Sequence, residues 1–297
     1  MHIAVIITCH NRKEKTLHCL TNLFEAKKAY GHNEVRLAVF LTDDGCTDGT
    51  AEAVDQLFDR HEIHIIKGDG SLYWAGGMRA AWREALKEKE RWDYYLLVND
   101  DTYAFDNLFT EMIEAHRYCL RTYKRPGLYS GVTCAQGQPD VITYGGDRED
   151  RLCRLHRVKP NGQPQLVDEA NANLLIVPAI VVEEIGIFYE GYVHSNADYD
   201  YSRLARRNNI PVLITAHTCG ECEYDHDSSK EEGKKVTRMS LSQRKAFFEH
   251  PLHSDKDYFT YVRRNMPMRL PITWTLRKLR LYCPKIYYAI NRLRKIA

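Results

Sequence analysis

No stretch of this 297-residue chain approaches the roughly 20 consecutive apolar residues that a bilayer-spanning helix needs. Neither sign of charge dominates: 42 Lys and Arg face 40 Asp and Glu, a formal net charge of +2. That balance removes the electrostatic argument for a nucleic-acid partner. The opening segment 1–7 lacks the basic start and small-residue cleavage site of a signal peptide and reads directly as a strand. The nine cysteines are scattered and odd in number, so reduced thiols of a cytoplasmic protein are expected rather than a disulfide framework. There is no internal repeat or low-complexity tract. No glycine-rich stretch leads into Gly-Lys-Ser/Thr, and none has dinucleotide-fingerprint spacing. What remains is an ordinary globular composition, long enough for one large α/β domain or for a domain with an appendage.

The chain is organised around residues 96–101, Leu-Leu-Val-Asn-Asp-Asp, where an apolar run ends abruptly in Asn99, Asp100 and Asp101. Ligands of α/β proteins bind beyond the carboxyl ends of strands. Two adjacent carboxylates repel unless a cation or a proton relieves them. Carboxylate oxygens suit Mg²⁺ or Mn²⁺, ions often shared with substrate phosphates. These residues therefore predict a metal–diphosphate site; a solvated turn carrying two acids is the competing reading.

Residues 3–8 read as a buried strand, followed by the polar loop 8–12 and a helix with Leu17, Leu20, Leu23 and Phe24 at helical spacing. A second strand is expected over 35–42. The turn-rich run 43–50 follows, with Thr47 or Asp48 capping a helix over 51–58. A third strand covers 63–66. In 68–79, glycines let backbone amides approach a ligand, a helix starts near Trp74 or Gly76, and Arg79 offers an anion contact. Strands alternating with helices call for a parallel sheet. Its strand ends would set 8–12, 43–44, 68–79 and 99–101 along one edge.

Farther on, a helix is expected over 105–120 and strands over 128–132 and 141–144. An exposed charged loop follows over 148–157, then a strand over 171–178 leading to a helix opened by Pro178. Asp198 and Asp200 stand at a helix start, where the macrodipole favours ionised carboxylates. A last strand spans 212–215. His217, Cys219, Cys222 and His226 raise a zinc reading, but they are crowded for one tetrahedron. Residues 228–238 read as a charged loop, and 241–248 and 258–264 as short helices. After Asp257 no acidic residue occurs, while Arg263, Arg264, Arg269, Arg277, Lys278, Arg280, Lys285, Arg292, Arg294 and Lys295 accumulate among apolar residues. Such a tail suits an anionic membrane surface, or packs on the domain with a solvated basic face.

In this order the segments resemble the inverting glycosyltransferases of family 2. Residues 8–12 match the family's first loop, and 42–50 match its Asp-Asp-Gly-Ser-Thr-Asp-Gly-Thr pattern, with Cys46 in the place of the serine. Asn99-Asp100-Asp101 matches the Asp-x-Asp position, with Asn99 replacing the first acid. Gly76-Gly77-Met78-Arg79 is similar to a variant in bacterial surface-polysaccharide members.

The resemblance implies a GT-A fold, a Rossmann-like, mostly parallel sheet flanked by helices, over 1–225, with a basic helical extension over 226–297. It implies that Thr8, Asn11 and Asp43 line the base and ribose pocket. Arg12, Asp44, Gly76, Gly77, Arg79, Asn99 and Asp100 would complete the nucleotide-sugar site. Asp101 would hold Mn²⁺ or Mg²⁺, helped by Asp100 or Asn99. Asp198 would be the catalytic base and Asp200 its supporting neighbour; simple N-terminal helix charge is the plainer reading of both. His217 or His226 would be a further metal or diphosphate ligand.

The implied reaction moves a hexose or deoxyhexose from a UDP- or dTDP-linked donor to a glycan or lipid-linked oligosaccharide. The implied setting is cell-surface polysaccharide biosynthesis, in the cytoplasm or peripherally on the inner face of the plasma membrane. Two rivals remain. A sugar-nucleotide nucleotidyltransferase needs a glycine-rich basic loop after the first strand, where Thr-Cys-His-Asn-Arg stands. A non-catalytic glycan-binding protein could share the fold.

Overall fold

The structure, a computed structural model, describes all residues except 32–33, 60, 89–90, 152–153, 224–228 and 297. The first half alternates as expected: β1 (His2–Cys9), α1 (Lys13–Gly31), β2 (Arg36–Asp43), α2 (Thr50–Leu57), β3 (Ile63–Lys67), α3 (Tyr73–Lys87) and β4 (Tyr94–Val98). These strands pair in parallel in the order β3-β2-β1-β4. β1 and β2 are buried at every position after their first, which is why they read as unbroken apolar runs: helices cover both faces. Side chains alternate between two cores. Ala4 and Ile6 join Trp82, Phe188 and Tyr201 on one face, while Ile3, Val5 and Ile7 join Leu20, Leu23 and Phe109 on the other.

The second half runs β5 (Thr102–Ala104), α4 (Leu108–Tyr123), β6 (Leu128–Ala135), β7 (Gln138–Tyr144), β8 (Gly146–Glu149), β9 (Leu155–Arg157), β10 (Gln165–Leu166), β11 (Glu169–Ala170), β12 (Leu174–Pro178), α5 (Ala179–Ile185), α6 (Ala197–Arg207) and β13 (Val212–Cys222). β12 inserts between β4 and β6, antiparallel to both, and β13 runs parallel to β6. The C-terminal region is helical: α7 (Ser229–Arg238), α8 (Leu241–Glu249), α9 (Lys256–Asn265), α10 (Leu270–Tyr282) and α11 (Pro284–Ile296).

Four local expectations are corrected. The charged segment 148–157 is exposed at Arg148, Arg151, Arg154 and His156 as expected, but it is not all loop: β8 and β9 join β11 in a small second sheet. Its charges have partners, Asp147 with Arg157 at 3.3 Å and Glu149 with Arg203 at 2.9 Å. The last strand does not stop at Thr215 but continues to Cys222, because β5 pairs with its far end. Residues 229–238, expected in a loop, form α7. The N-cap of α2 is Gly49, at φ 77°. Asp48 sits one position earlier, and its carboxylate accepts the N–H groups of Thr50 at 3.1 Å and Lys13 at 2.9 Å.

α3 lies against β1 and β2 at Gly77, whose carbonyl accepts the Thr42 hydroxyl at 2.8 Å. A Cβ there would stand 2.1 Å from Thr8 Oγ1 and 2.8 Å from Thr8 Cβ. Glycine is thus required for this close approach of helix to strand. Gly77→Ala is expected to lower stability by roughly 1–3 kcal/mol, the usual cost of overpacking, read from urea denaturation. Adding Thr8→Ala should recover part of the loss; an equal penalty in both backgrounds would place the clash elsewhere.

Candidate active site

The loops at the carboxyl ends of β1, β2 and β3 are braced to one another by side chains. Asp44 is buried, and its carboxylate accepts backbone N–H groups from Gly70 at 2.9 Å, Leu72 at 3.3 Å and Tyr73 at 2.9 Å. The first two contacts are to Oδ1 and the third to Oδ2, so one side chain fixes the approach to α3. Asp43 accepts the Cys46 N–H at 2.8 Å. Asn11, at φ 50°, accepts the Thr47 N–H at 2.7 Å and so ties the first loop to the second.

Two adjoining cavities open along this edge, of about 420 and 450 Å³. Arg12, Trp74, Asp100 and His194 line both and form the border between them. The first is also lined by Thr8, His10 and Asp44 from the strand ends, and by His250 and Leu252 from the turn between α8 and α9. The second contains Asp101, Asn173 and Asp198. A larger cavity of about 1020 Å³ lies at the opposite edge, lined by Met1, Asp93 and Tyr94 where the strands begin. The βα loops do not reach it.

At the border, Arg12 Nη1 donates to Asp100 Oδ1 at 3.2 Å and to Asp101 Oδ2 at 2.8 Å. Thr16 Oγ1 adds a contact to Asp100 Oδ2 at 3.4 Å. Burial nonetheless dominates at Asp100 and pushes its carboxyl from 3.8 up to about 7, against the pull of Arg12. The side chain of Asn99 is already engaged: its Oδ1 accepts the Trp74 indole N–H at 2.8 Å.

The far wall is the loop before α6. Asp257 of α9 accepts backbone N–H groups from Val193 at 3.1 Å, His194 at 2.7 Å and Ser195 at 2.8 Å. This clamp sets His194 over the border; its Nδ1 has no hydrogen-bond partner among the described residues, and burial lowers its basicity. Asp198 follows in the first turn of α6. Its two oxygens accept the N–H groups of Ala172 at 3.2 Å and Tyr199 at 2.9 Å. Those contacts favour the anion, but desolvation deep in the cleft outweighs them and raises Asp198 from 3.8 to about 6. Tyr199 is held by Asn171 at 2.9 Å, which is held in turn by Arg157 at 2.6 Å.

Asp101 and Asp198 thus face one cavity. Several other expected residues do not line either space. Asp200 points away from Asp198 into the contact with α9, where Arg264 Nε lies 3.0 Å and Asn265 Nδ2 2.7 Å from its carboxylate. It joins two helices rather than supporting a base. Arg79 is buried and engages the Tyr189 carbonyl and Glu190, both at 3.3 Å. Gly76 and Gly77 serve helix packing, with Leu72 and Thr8 as their nearest neighbours. Asn11 and Asp43 brace the loops.

His217 pairs with Glu111 at 2.7 Å, beside α4, and His226 lies outside the described residues. Cys219 contacts Thr215 at 3.2 Å, whereas Cys222 faces Asn173 at 3.4 Å. Among the described residues, His217, Cys219 and Cys222 do not converge on one ion. The sequence reading missed His194, His250, Trp74 and the Asp257 clamp. Trp74 had a local signal, an aromatic beside the glycine loop. The others are brought in by long-range packing, which leaves no local trace.

Residues 4–118 match the family model described as Glycosyl transferase family 2. A search among curated proteins finds no match. Among solved structures, S. aureus TarS in complex with UDP-GlcNAc is 15% identical at a TM-score of 0.50, over 90% of this chain and 73% of that one. A Pyrobaculum calidifontis mannosyltransferase in complex with GDP-Man and Mn²⁺ gives 14% identity and 0.52, over 99% and 80%. GalNAc-T7 with UDP, GalNAc and Mn²⁺ gives 11% and 0.56, over 75% of this chain and 43% of that one. These likenesses define the fold class, GT-A, and residues 4–118 of the chain carry the family 2 pattern.

Proposed function

We propose that the protein transfers a sugar from a nucleotide-diphosphate donor to a hydroxyl of a glycan or lipid-linked acceptor, with inversion at the anomeric carbon. The observation that carries this reading is the shared cavity of Asp101 and Asp198, with Arg12 and Asp100 at its border. The nucleoside occupies the first cavity, against Thr8, His10 and Asp44. The diphosphate crosses the border at Arg12, and the sugar enters the second cavity beside Trp74. Asp198 removes the acceptor hydroxyl proton as that oxygen bonds to the anomeric carbon. The bond to the diphosphate oxygen breaks on the opposite side and its electron pair leaves with the nucleotide.

The residues fit a Mn²⁺ or Mg²⁺ ion. Asp100 and Asp101 already converge on a cation, the Arg12 guanidinium, and offer the oxygen donors such ions prefer. Asp101 would hold the ion, with Asp100 rather than the engaged Asn99 as its neighbour. Such an ion supplies positive charge to the departing diphosphate. UDP and dTDP are the favoured donor nucleotides, as the resemblance implies, and TarS with UDP-GlcNAc supports a uridine donor.

The C-terminal helices suggest where the acceptor is met. Met268, Ile272, Trp274, Tyr282 and Ile286 are exposed beside exposed Lys278 and Lys285. Lys278 Nζ lies 5.5 Å from the Trp274 ring centroid. Arg277 and Arg280 instead turn inward to Asp255, at 2.9 and 3.2 Å. The outward set has the chemistry of a peripheral contact with an anionic lipid surface, at about 1 kcal/mol per basic residue. This supports cytoplasmic work at the inner face of the plasma membrane, on lipid-linked acceptors of surface polysaccharide synthesis.

Three measurements test the reading. UDP or dTDP should raise the melting temperature only with Mn²⁺ present, by about 2.7 kcal/mol of stabilisation at 100 times Kd, and not in Asp101→Ala. A nucleotide shift that ignores the metal would count against the site.

Asp198→Asn should fold normally and bind donor, yet lose roughly 10² to 10⁴ in kcat. In the parent enzyme, kcat should rise with pH through about 6, as Asp198 ionises, and then level off. A flat profile would exclude Asp198 as the base.

The full chain should float with phosphatidylglycerol vesicles but not with phosphatidylcholine ones, and Trp274→Ala with Lys278→Glu should release it. Equal binding to both lipids would remove the membrane assignment.

A further inference from the structure

Beside the cleft lies a cluster that the transfer reaction does not use. Cys9 ends β1 and Cys46 sits in the loop after β2, with their Sγ atoms 3.8 Å apart. A carboxylate oxygen of Asp43 completes the group, all three ligand atoms lying within 4.8 Å of one another. Two thiolates on one tetrahedral Zn²⁺, at Zn–S distances of about 2.3 Å, stand about 3.8 Å apart. The sulfurs are therefore already at the spacing of a bound ion.

The ligand atoms are also held from outside. Cys46 Sγ accepts the Asn11 N–H at 3.2 Å, and Asp43 Oδ1 accepts the Cys46 N–H at 2.8 Å. Outer contacts of this kind orient metal ligands. An entry path exists, because Cys46 lines a shallow surface cavity with Lys13 and Thr47. Cys9 also lines the 420 Å³ cavity. The serine that the family pattern has at position 46 would offer no thiolate.

We propose that Cys9, Cys46 and Asp43 form a site for a thiophilic divalent cation, Zn²⁺ or its probe Cd²⁺, separate from the hard-ion position at Asp101. Two metal–sulfur bonds and one metal–oxygen bond form, two thiol protons leave to solvent, and water from the surface cavity takes the fourth position. Because Cys9 lines the cavity assigned above to the nucleoside, an ion held here changes that wall. On that functional reading it weakens nucleotide binding.

The test is titration of Cd²⁺ into the metal-free full chain, carrying Cys283→Ser to remove the thiol that is exposed among the described residues. A sulfur-to-cadmium charge-transfer band should saturate at one ion per chain. Cys46→Ser should weaken binding roughly 100-fold, with circular dichroism unchanged. Cys9→Ser should do the same, and it keeps the test open if one variant fails to fold. Equal affinity and band intensity in parent and folded variants would overturn the site.

The UDP shift with Mn²⁺ is then repeated with Cd²⁺ present. It should fall in the parent and persist in Cys46→Ser. An unchanged shift in the parent would overturn the link to the nucleotide while leaving the metal site standing. No shift in any protein without Cd²⁺ would overturn the functional reading and not the site.

Discussion

The cleft depends on one ionic arrangement: a single guanidinium, Arg12, shared by two adjacent carboxylates at the end of β4. Asp100 and Asp101 cannot both ionise beside each other without a counter-charge. Arg12 comes from the loop after β1, the neighbouring strand, so the parallel pairing of β1 with β4 puts cation and acids together. The compensation is incomplete, since Asp100 still stands at about 7. One positive charge does not offset two carboxylates when one of them is buried. A site left in that condition gains from any additional cation, and on the proposed reading the donor's metal supplies it. Arg12 is then free to face the diphosphate.

The rest of the chain positions what must meet that border. β12, running against its neighbours, begins at the cleft edge, so Asn171 and Asn173 just before it line the cleft. α6 then presents Asp198, and α9 fixes the loop before it through Asp257. Leaving the N–H groups of Val193, His194 and Ser195 unpaired would cost on the order of 1–3 kcal/mol each if they stayed buried. The C-terminal helices are therefore part of the site's construction. The last acids of the chain point inward as anchors, which leaves α10 and α11 with only basic charge to show on their outer face.

Where local pattern carries the information, the sequence was readable. Apolar runs ending in Thr8, Asp43 and Asn99 marked strand ends, and the alternation with helices placed them on one edge. Direction of side chains was not readable in the same way. Asp198 and Asp200 are two apart on a helix, about 200° around its axis, so only one of them can face the cleft. Asp43 and Asp44 pose the same question at a strand end, and hydrogen bonding to a distant loop decides it. Arg79 carried the right chemistry but lies on a buried face of α3. His194 and His250 were illegible because nothing within a few residues of either predicts that both meet at one cavity. The charges over 148–157 rightly suggested solvent at Arg148, Arg151, Arg154 and His156, but not the pairing of Glu149 with Arg203, which comes from distant α6.

The two raised acids link the chemistry to the energetics of folding. Asp100 at about 7 and Asp198 at about 6 both hold their protons more tightly in the folded chain than at the ordinary 3.8. Between those values the native state binds more protons than the unfolded one, so stability falls as pH rises. The contribution is whole below 3.8 and is lost as pH climbs through 6 and 7. Near neutrality the cleft thus carries carboxylates that are least comfortable in the ionised form, the one the proposed reaction needs. Burial of the two side chains causes this, in a cleft walled by Trp74, His194 and the Asp257-clamped loop. A base raised by desolvation is a better proton acceptor once ionised. An acid pair short of positive charge binds a cation more readily. On the proposed reading, the features that weaken the empty cleft are the ones that let donor, cation and acceptor stabilise it together.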